Sequence, residues 1–316
     1  MPPRPHLFLL LALAAAAVLS ACAGSFNAYL VDVAEDVGIA IILAVSLNLV
    51  NGYTGQFSLG HAGFMAVGAY ASSWLTLWLG GRHPALFSGD TYSLQAHAVF
   101  LSALLLGGLC AAFAGLLVGV PSLRLKGDYL ALVTLGFGEI IRVLIQNIEP
   151  LGGALGLFGM PGISNLFWVY SFAALAVFVT WSLVHSTYGR GFLATHDDEI
   201  AAEAIGLDTT RYKITAFVVG AFFAGIAGGL YAHFKLAIDP RGFDFTKSIE
   251  IVVMVILGGM GNMVGVILAA ILLTVLPEFL RPIEEYRIVL YSLLLIGLML
   301  VRPQGLFSFK PRSTRS

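Results

Sequence analysis

The stretch AHAVFLSALLLGGLCAAFAGLLVGV, residues 96–120, contains no Asp, Glu, Lys or Arg. As a helix it measures about 37 Å at 1.5 Å per residue. A transmembrane helix needs about 20 predominantly apolar residues to cross roughly 30 Å of hydrocarbon, so this segment alone points to a membrane protein. Composition agrees: of 316 residues 58% are hydrophobic and 11% charged, with a mean hydropathy of +0.89, outside the range of soluble domains. Similar runs lie at approximately 7–23, 30–50, 58–79, 129–147, 164–185, 214–233, 248–259, 262–280 and 286–301. In lipid the backbone must satisfy its own hydrogen bonds, and runs this long and continuous suit helices, not barrel strands of alternating polarity. The expected fold is therefore all-α: a polytopic transmembrane bundle of about 9–10 segments, with glycine-rich helix breaks. Residues 1–301 read as one transmembrane domain and 302–316 as a basic cytoplasmic tail.

Charge orients the bundle, because cytoplasmic loops retain Lys and Arg. Placing Arg302, Lys310, Arg312 and Arg315 inside also puts Arg4, Arg124, Lys126 and the segment 187–213 inside. Ten basic residues then lie inside, six outside and one, Arg142, within a span. The same parity divides 249–280 into a short and a longer segment, separated at Gly258, Gly259, Met260, Gly261 and Asn262 on the cytoplasmic side. Trp74, Trp78 and Trp168 near span ends suit interfacial belts, or equally a packed core. Leu19, Ser20, Ala21 and Cys22 resemble a lipoprotein processing site, although only Arg4 supplies a positive leader. Cys22 and Cys110 have neither a disulfide framework nor metal-ligand spacing.

The one strongly polar island runs from Thr187 to Lys213. Thr195 precedes Asp198 by three residues as in a capping box, acids crowd the following turn, and Gly206 can end a helix. The expected helix, His196 to Ile205, is about 15 Å long, too short and acidic to cross a membrane. Asp208 or Thr209 then caps the next span. Ala201, Ala202 and Ala204 keep the short helix slim enough to seat in another protein's groove. Asp197, Asp198, Glu199 and Glu203 offer hydrogen bonds there, while an ordinary solvated connector has the same composition.

Absent motifs narrow the chemistry. There is no GxxxxGK[ST] phosphate loop, so ATP hydrolysis by this chain is not expected. HExxH and GxSxG are also missing, against an intramembrane hydrolase, and a formal charge of −1 gives no nucleic-acid surface.

DEIAAEAIG (198–206), followed by Lys213, Ala216, Phe217 and AGIAGGL (224–230), resembles the loop and next helix of ABC importer permeases for branched-chain amino acids. NLVNGYTGQFSLGHAGFMAVGAY (48–70), GDYLALVTLGFGEIIR (127–142) and LGGMGNMVG (257–265) extend the resemblance over most of the chain. The SLGH stretch (58–61) is similar to the LivM type rather than its LivH-type sister. The resemblance implies a permease subunit of a binding-protein-dependent importer, multi-pass in a bacterial inner membrane. It implies as partners a homologous LivH-type permease, two cytoplasmic ATPase subunits that bind ATP and Mg, and a periplasmic solute-binding protein. No cofactor is implied in this chain itself. In that family the short polar helix is the coupling helix that docks on the ATPase, here Asp197, Asp198, Glu199, Ala201, Ala202, Glu203, Ala204 and Gly206 within a coupling loop 187–213. His196 departs from the Arg expected there. Relatives of the same architecture carry urea, short amides or other small polar solutes, so the resemblance leaves the substrate open.

Candidate pathway residues lie at the breaks and in one span. Gln56, Ser58 and His61 gather beside the glycine-rich Asn51 to Gly55, and Asn262 sits in the second break. Glu139 and Arg142 fall three apart on one helix face about 16 Å along their span, where charge is costly. Each has a structural rival: hydrogen bonding between helices for the first group, an intrahelical ion pair for the second. An ion-coupled carrier would use Glu139 and Arg142 directly and need no ATPase, and a non-transport scaffold is a third class. The Gly225/Gly229, Gly261/Gly265 and Gly115/Gly119 pairs read as close helix contacts.

Overall fold

The structure is a computed structural model describing residues 5–87, 93–123, 125, 127–281 and four isolated positions, 292, 293, 296 and 297. Apart from those four, the span expected at 286–301 and the tail 302–316 lie outside the described residues, as do Arg4, Arg124 and Lys126. The described chain is helical almost throughout. The helices are α1 (Pro5–Cys22), α2 (Ala28–Asn51), α3 (His61–Arg82), α4 (Leu94–Ser122), α5 (Asp128–Gln146), α6 (Leu166–Val184), α7 (Gly189–Asp197), α8 (Glu199–Ala204), α9 (Thr209–Lys235), α10 (Phe245–Gly258) and α11 (Met263–Phe279). Strands β1 (Leu157–Phe158) and β2 (Ala237–Ile238) pair antiparallel, with Leu157 opposite Ile238. The α1, α4, α5, α6 and α9 segments are long and apolar enough to cross a membrane by length and composition.

Nine of the ten apolar runs thus become helices, and the division of 249–280 is borne out. The α10 and α11 helices measure about 21 and 26 Å, each short of a full bilayer. Gly259 and Gly261 between them take φ of +90° and +80°, which an L side chain would strain. Gly261 is therefore a turn residue, and Gly261/Gly265 does not form a helix-packing pair.

The bundle is assembled on α9. From Gly220 to Leu230 its inward residues are buried against α2, α3 and α4. A methyl group on Gly68 of α3 would collide with the backbone of Gly225, and one on Gly228 with the carbonyl of Met65. Gly107 of α4 stands 2.7 Å from the Gly68 carbonyl by the same test, so three helices meet backbone to backbone. Lower on the same helices, Gly115 abuts Ala221. The buried His233 is paired within the bundle: Nδ1 contacts the Gly229 carbonyl at 2.7 Å and Nε2 contacts Thr76 Oγ1 at 2.9 Å.

The aromatic readings divide. Trp74 and Trp78 stack on the exposed surface with Arg82 over the Trp78 ring, as an interfacial belt requires. Trp168 instead packs among Phe100, Phe172 and His97 and belongs to the core.

Gly228→Ala is expected to lower thermal stability in detergent by about 1–3 kcal/mol, the usual cost of overpacking. Gly81→Ala, where an added methyl meets nothing within 4 Å, should not lower it.

Candidate functional site

The two glycine-rich breaks meet. Beyond α2, residues 52–60 run without helix; Gly52, Tyr53 and Gln56 N–H bond back to carbonyls of α2, and other freed groups find side-chain partners. Asn48 Oδ1 accepts from the Gly261 N–H at 2.9 Å, joining the first break to the second. Gly52 lies so close to Gly261 that a side chain on it would strike the Gly261 nitrogen. Asn51 Oδ1 accepts from the Ser58 N–H at 3.2 Å, Thr134 Oγ1 from Leu59 N–H at 3.0 Å, and Ser248 Oγ from Ala62 N–H at 3.2 Å. Asn262 caps α11 by accepting from Gly265 N–H.

The candidate pathway residues at the breaks are brought together but face inward. Gln56 donates to the Thr54 carbonyl at 3.1 Å, and His61 Nε2 contacts Ser46 Oγ at 2.9 Å. Gln56, Ser58 and His61 are all buried, and they tie helices and backbone together. Glu139 and Arg142 form a half-buried ion pair at 2.6 Å on α5, and Glu139 borders a small crevice with Leu59 of the first break, Gly63 and Ser248.

The polar island docks on the same end of the bundle. Tyr53 of the first break packs with Phe192 of α7, Val184 of α6 and Ala216 of α9, and the His196 ring lies against Gly55, which has a φ of +67°. The single helix expected from His196 to Ile205 is corrected: α7 ends at Asp197, Asp198 is extended, and α8 covers Glu199–Ala204. The cap is Asp198, not Thr195. Its Oδ1 accepts from Ile200 N–H at 2.9 Å and Ala201 N–H at 3.0 Å, whereas buried Thr195 donates back to the Gly191 carbonyl inside α7. A carboxylate that receives two N–H donors outcompetes a hydroxyl already engaged by its own helix. Gly206, at φ +89°, ends α8, and Asp208 caps α9, as expected.

Two contacts fasten α8 to α9. Lys213, 2% exposed, pairs with Glu199 at 2.6 Å, and Thr209 Oγ1 donates to Glu203 Oε1 at 2.7 Å. Both acids therefore hold the loop together. With Ala202 buried beneath, α8 turns Ile200 (73% exposed) and Ile205 (77%) outward, beside Ala201 and Ala204 and with Asp197 at the rim. The two isoleucines were not singled out in the sequence. Their signal was a pair of large apolar residues in the acidic, alanine-rich stretch 197–206.

At the opposite end, about 40 Å away along the 27-residue α9, a cavity of about 780 Å³ opens between α2, α9, α10 and α11. Its mouth carries charges of both signs, Asp36 paired with Lys235 at 2.9 Å and Lys247 with Glu250 at 3.0 Å, with Glu278 nearby. Ile39, Leu43, Met254 and Leu273 line the interior. These residues are scattered over the sequence, and no candidate pathway residue lines the cavity. Among the described residues no group of His, Cys, Asp and Glu is arranged to hold a metal ion.

The chain is thus a multi-pass helical bundle with paired helix breaks and a short polar helix on one face, the build of a membrane permease. Residues 29–302 match the family described as branched-chain amino acid transport system / permease component, and the chain belongs to that family. It is 39% identical to the high-affinity branched-chain amino acid transport system permease protein LivM of Salmonella typhimurium, over 87% of this chain and 69% of that one. Identity is 28% to the probable LivM permease of Methanocaldococcus jannaschii, over 87% and 92% of the two chains. The LivH permease of Escherichia coli is 23% identical, over 84% and 90%. No solved structure matches.

Lys213→Ala should destabilise the packing of α8 on α9 by about 3–5 kcal/mol, because it strands one partner of a largely buried pair. The check is faster proteolysis at 198–206 in detergent. Lys213→Met combined with Glu199→Leu, which removes both charges, should restore most of the resistance.

Proposed function

We propose that this chain is the permease subunit of a binding-protein-dependent ABC importer that moves branched-chain amino acids across a bacterial inner membrane. Its partners in this reading are a LivH-type permease, two cytoplasmic ATPase subunits that bind ATP and Mg, and a periplasmic binding protein that delivers substrate. The chain itself carries no ATPase site and no cofactor.

The observation that carries the reading is the build of α7 and α8. An outward apolar pair, Ile200 and Ile205, sits on a helix fixed to the long central α9 by Glu199–Lys213 and Glu203–Thr209. A push on α8 is thus transmitted to α9 and, through Phe192 on Tyr53 and His196 on Gly55, to the first helix break. Because that break is bonded to the second through Asn48 and Gly261, both move together. ATP-driven closure of the ATPase pair would thereby shift α10 and α11 against α2, the helices that bound the cavity.

The cavity supports the choice of solute. An amino acid presents a cation and an anion at one end and, for this class, a branched aliphatic group at the other. The mixed charges of Asp36, Lys235, Lys247 and Glu250 over walls of Ile39, Leu43, Met254 and Leu273 suit that pattern better than they suit urea. The single domain 1–301 with its basic tail 302–316 is retained as part of the proposal.

Ile200→Asp with Ile205→Asp should abolish ATP-driven uptake into proteoliposomes while insertion and yield stay unchanged, with loss of ATPase co-purification as the direct readout. Glu203→Ala with Gly206→Val should leave ATP hydrolysis running without uptake. Uptake that persists without ATPase subunits, driven by an ion gradient, would overturn the reading in favour of a secondary carrier.

A further inference from the structure

We propose that the outward face of α5 is the surface on which the second, homologous permease subunit packs, and that Glu139 and Arg142 lie in the seam between the two chains. The proposal rests on the reading that such a subunit accompanies this chain.

The bundle shows what a lipid-facing surface looks like here. The exposed stripe of α4 carries Ser102, Leu105, Leu109, Phe113, Leu116 and Val120, with no charged side chain among them and the Ser102 hydroxyl bonded back to the Val99 carbonyl at 2.7 Å. Hydrocarbon accepts that surface without cost. On α5 the exposed positions Leu132, Gly136, Ile140 and Val143 are apolar, but Glu139 and Arg142 flank them with side chains 36% and 25% exposed. Glu139 stands about 16 Å along a helix about 28 Å long, close to mid-membrane. A half-exposed ion pair at that depth is unfavourable against lipid and sustainable against protein or trapped water.

The bonding within the pair also leaves room for a partner. Both guanidinium contacts fall on Glu139 Oε2, from Arg142 Nε at 2.8 Å and Nη2 at 2.6 Å. Among the described residues the carboxylate receives no other hydrogen bond, so a donor on a neighbouring helix would meet a free acceptor.

Gly136 is a second, independent sign. A methyl there would meet nothing within 4 Å, so no contact inside this chain requires glycine. Glycine inside a helix costs about 1 kcal/mol relative to alanine. Small residues on an outward helix face allow another helix to approach closely. Gly138, two residues on and therefore on the opposite face, shows the alternative, since it packs on Gly60 of this chain. An apolar helix with a glycine notch and one polar patch, such as a homologous permease would supply, fits this face, and lipid does not.

The test uses the assembled transporter in membranes, with Cys22 and Cys110 replaced by serine and single cysteines at Leu132, Gly136 or Ile140 on α5, or at Leu109 or Phe113 on α4. Each carries a benzophenone maleimide, which on illumination inserts into whatever lies beside it. Expected is an adduct with the sister permease from α5 and lipid adducts only from α4. Sister adducts from α4 with lipid adducts from α5 would overturn the proposal, as would α5 adducts with a second copy of this chain. Should Gly136→Cys fail to assemble, Leu132→Cys and Ile140→Cys decide. Failure of the unmodified chain to co-purify with any homologous permease would instead overturn the partner reading beneath it.

Discussion

A backbone that leaves the helix inside an apolar protein has no water to bond, and the structure depends on how this chain meets that constraint. Residues 52–60 and 259–262 both break helix in the interior, and the freed groups are met in part by nearby backbone carbonyls and in part by side chains placed for them. Asn48 reaches from α2 to Gly261, Asn51 folds back on Ser58, Thr134 and Ser248 take the N–H groups around the start of α3, and Asn262 starts α11. Leaving any of them unmet would cost several kcal/mol in hydrocarbon. The two breaks are therefore joined into one element, and the polar residues near them are structural first.

The polar island gains its meaning from that junction. As a separate loop, α7 and α8 would be a solvated connector. Seated on Tyr53 and Gly55 and tied by Lys213 to the central helix, they are fastened to the bundle and turn Ile200 and Ile205 outward. The buried ion pair is weak as a source of stability, since desolvation opposes it. Its value is positional: it holds α8 in one orientation on α9.

Much of this was legible. Segment positions followed from apolar runs of span length, and the division before α11 followed from five residues rich in glycine. Asp208 and Gly206 were readable because capping is a local matter. Asp198 was harder, because whether it or Thr195 caps depends on Thr195 being buried within α7. Trp168 suited a belt and a packed core equally, because burial against Phe100 and Phe172 depends on which helices become neighbours. The cavity was invisible for the same reason: Asp36, Lys235, Lys247 and Glu278 belong to four different helices.

The sequence by itself determined the membrane class, the helical content, the position of nearly every span and the family, because length, hydropathy and short motifs are properties of contiguous residues. Tertiary structure alone decided that the two breaks touch, that Gln56, Ser58 and His61 turn inward, that Ile200 and Ile205 turn outward, and that Glu139 with Arg142 stands half-exposed. Each of these depends on which faces of distant helices meet. That choice was made by glycine-to-backbone contacts between α3, α4 and α9, whose partners are far apart along the chain.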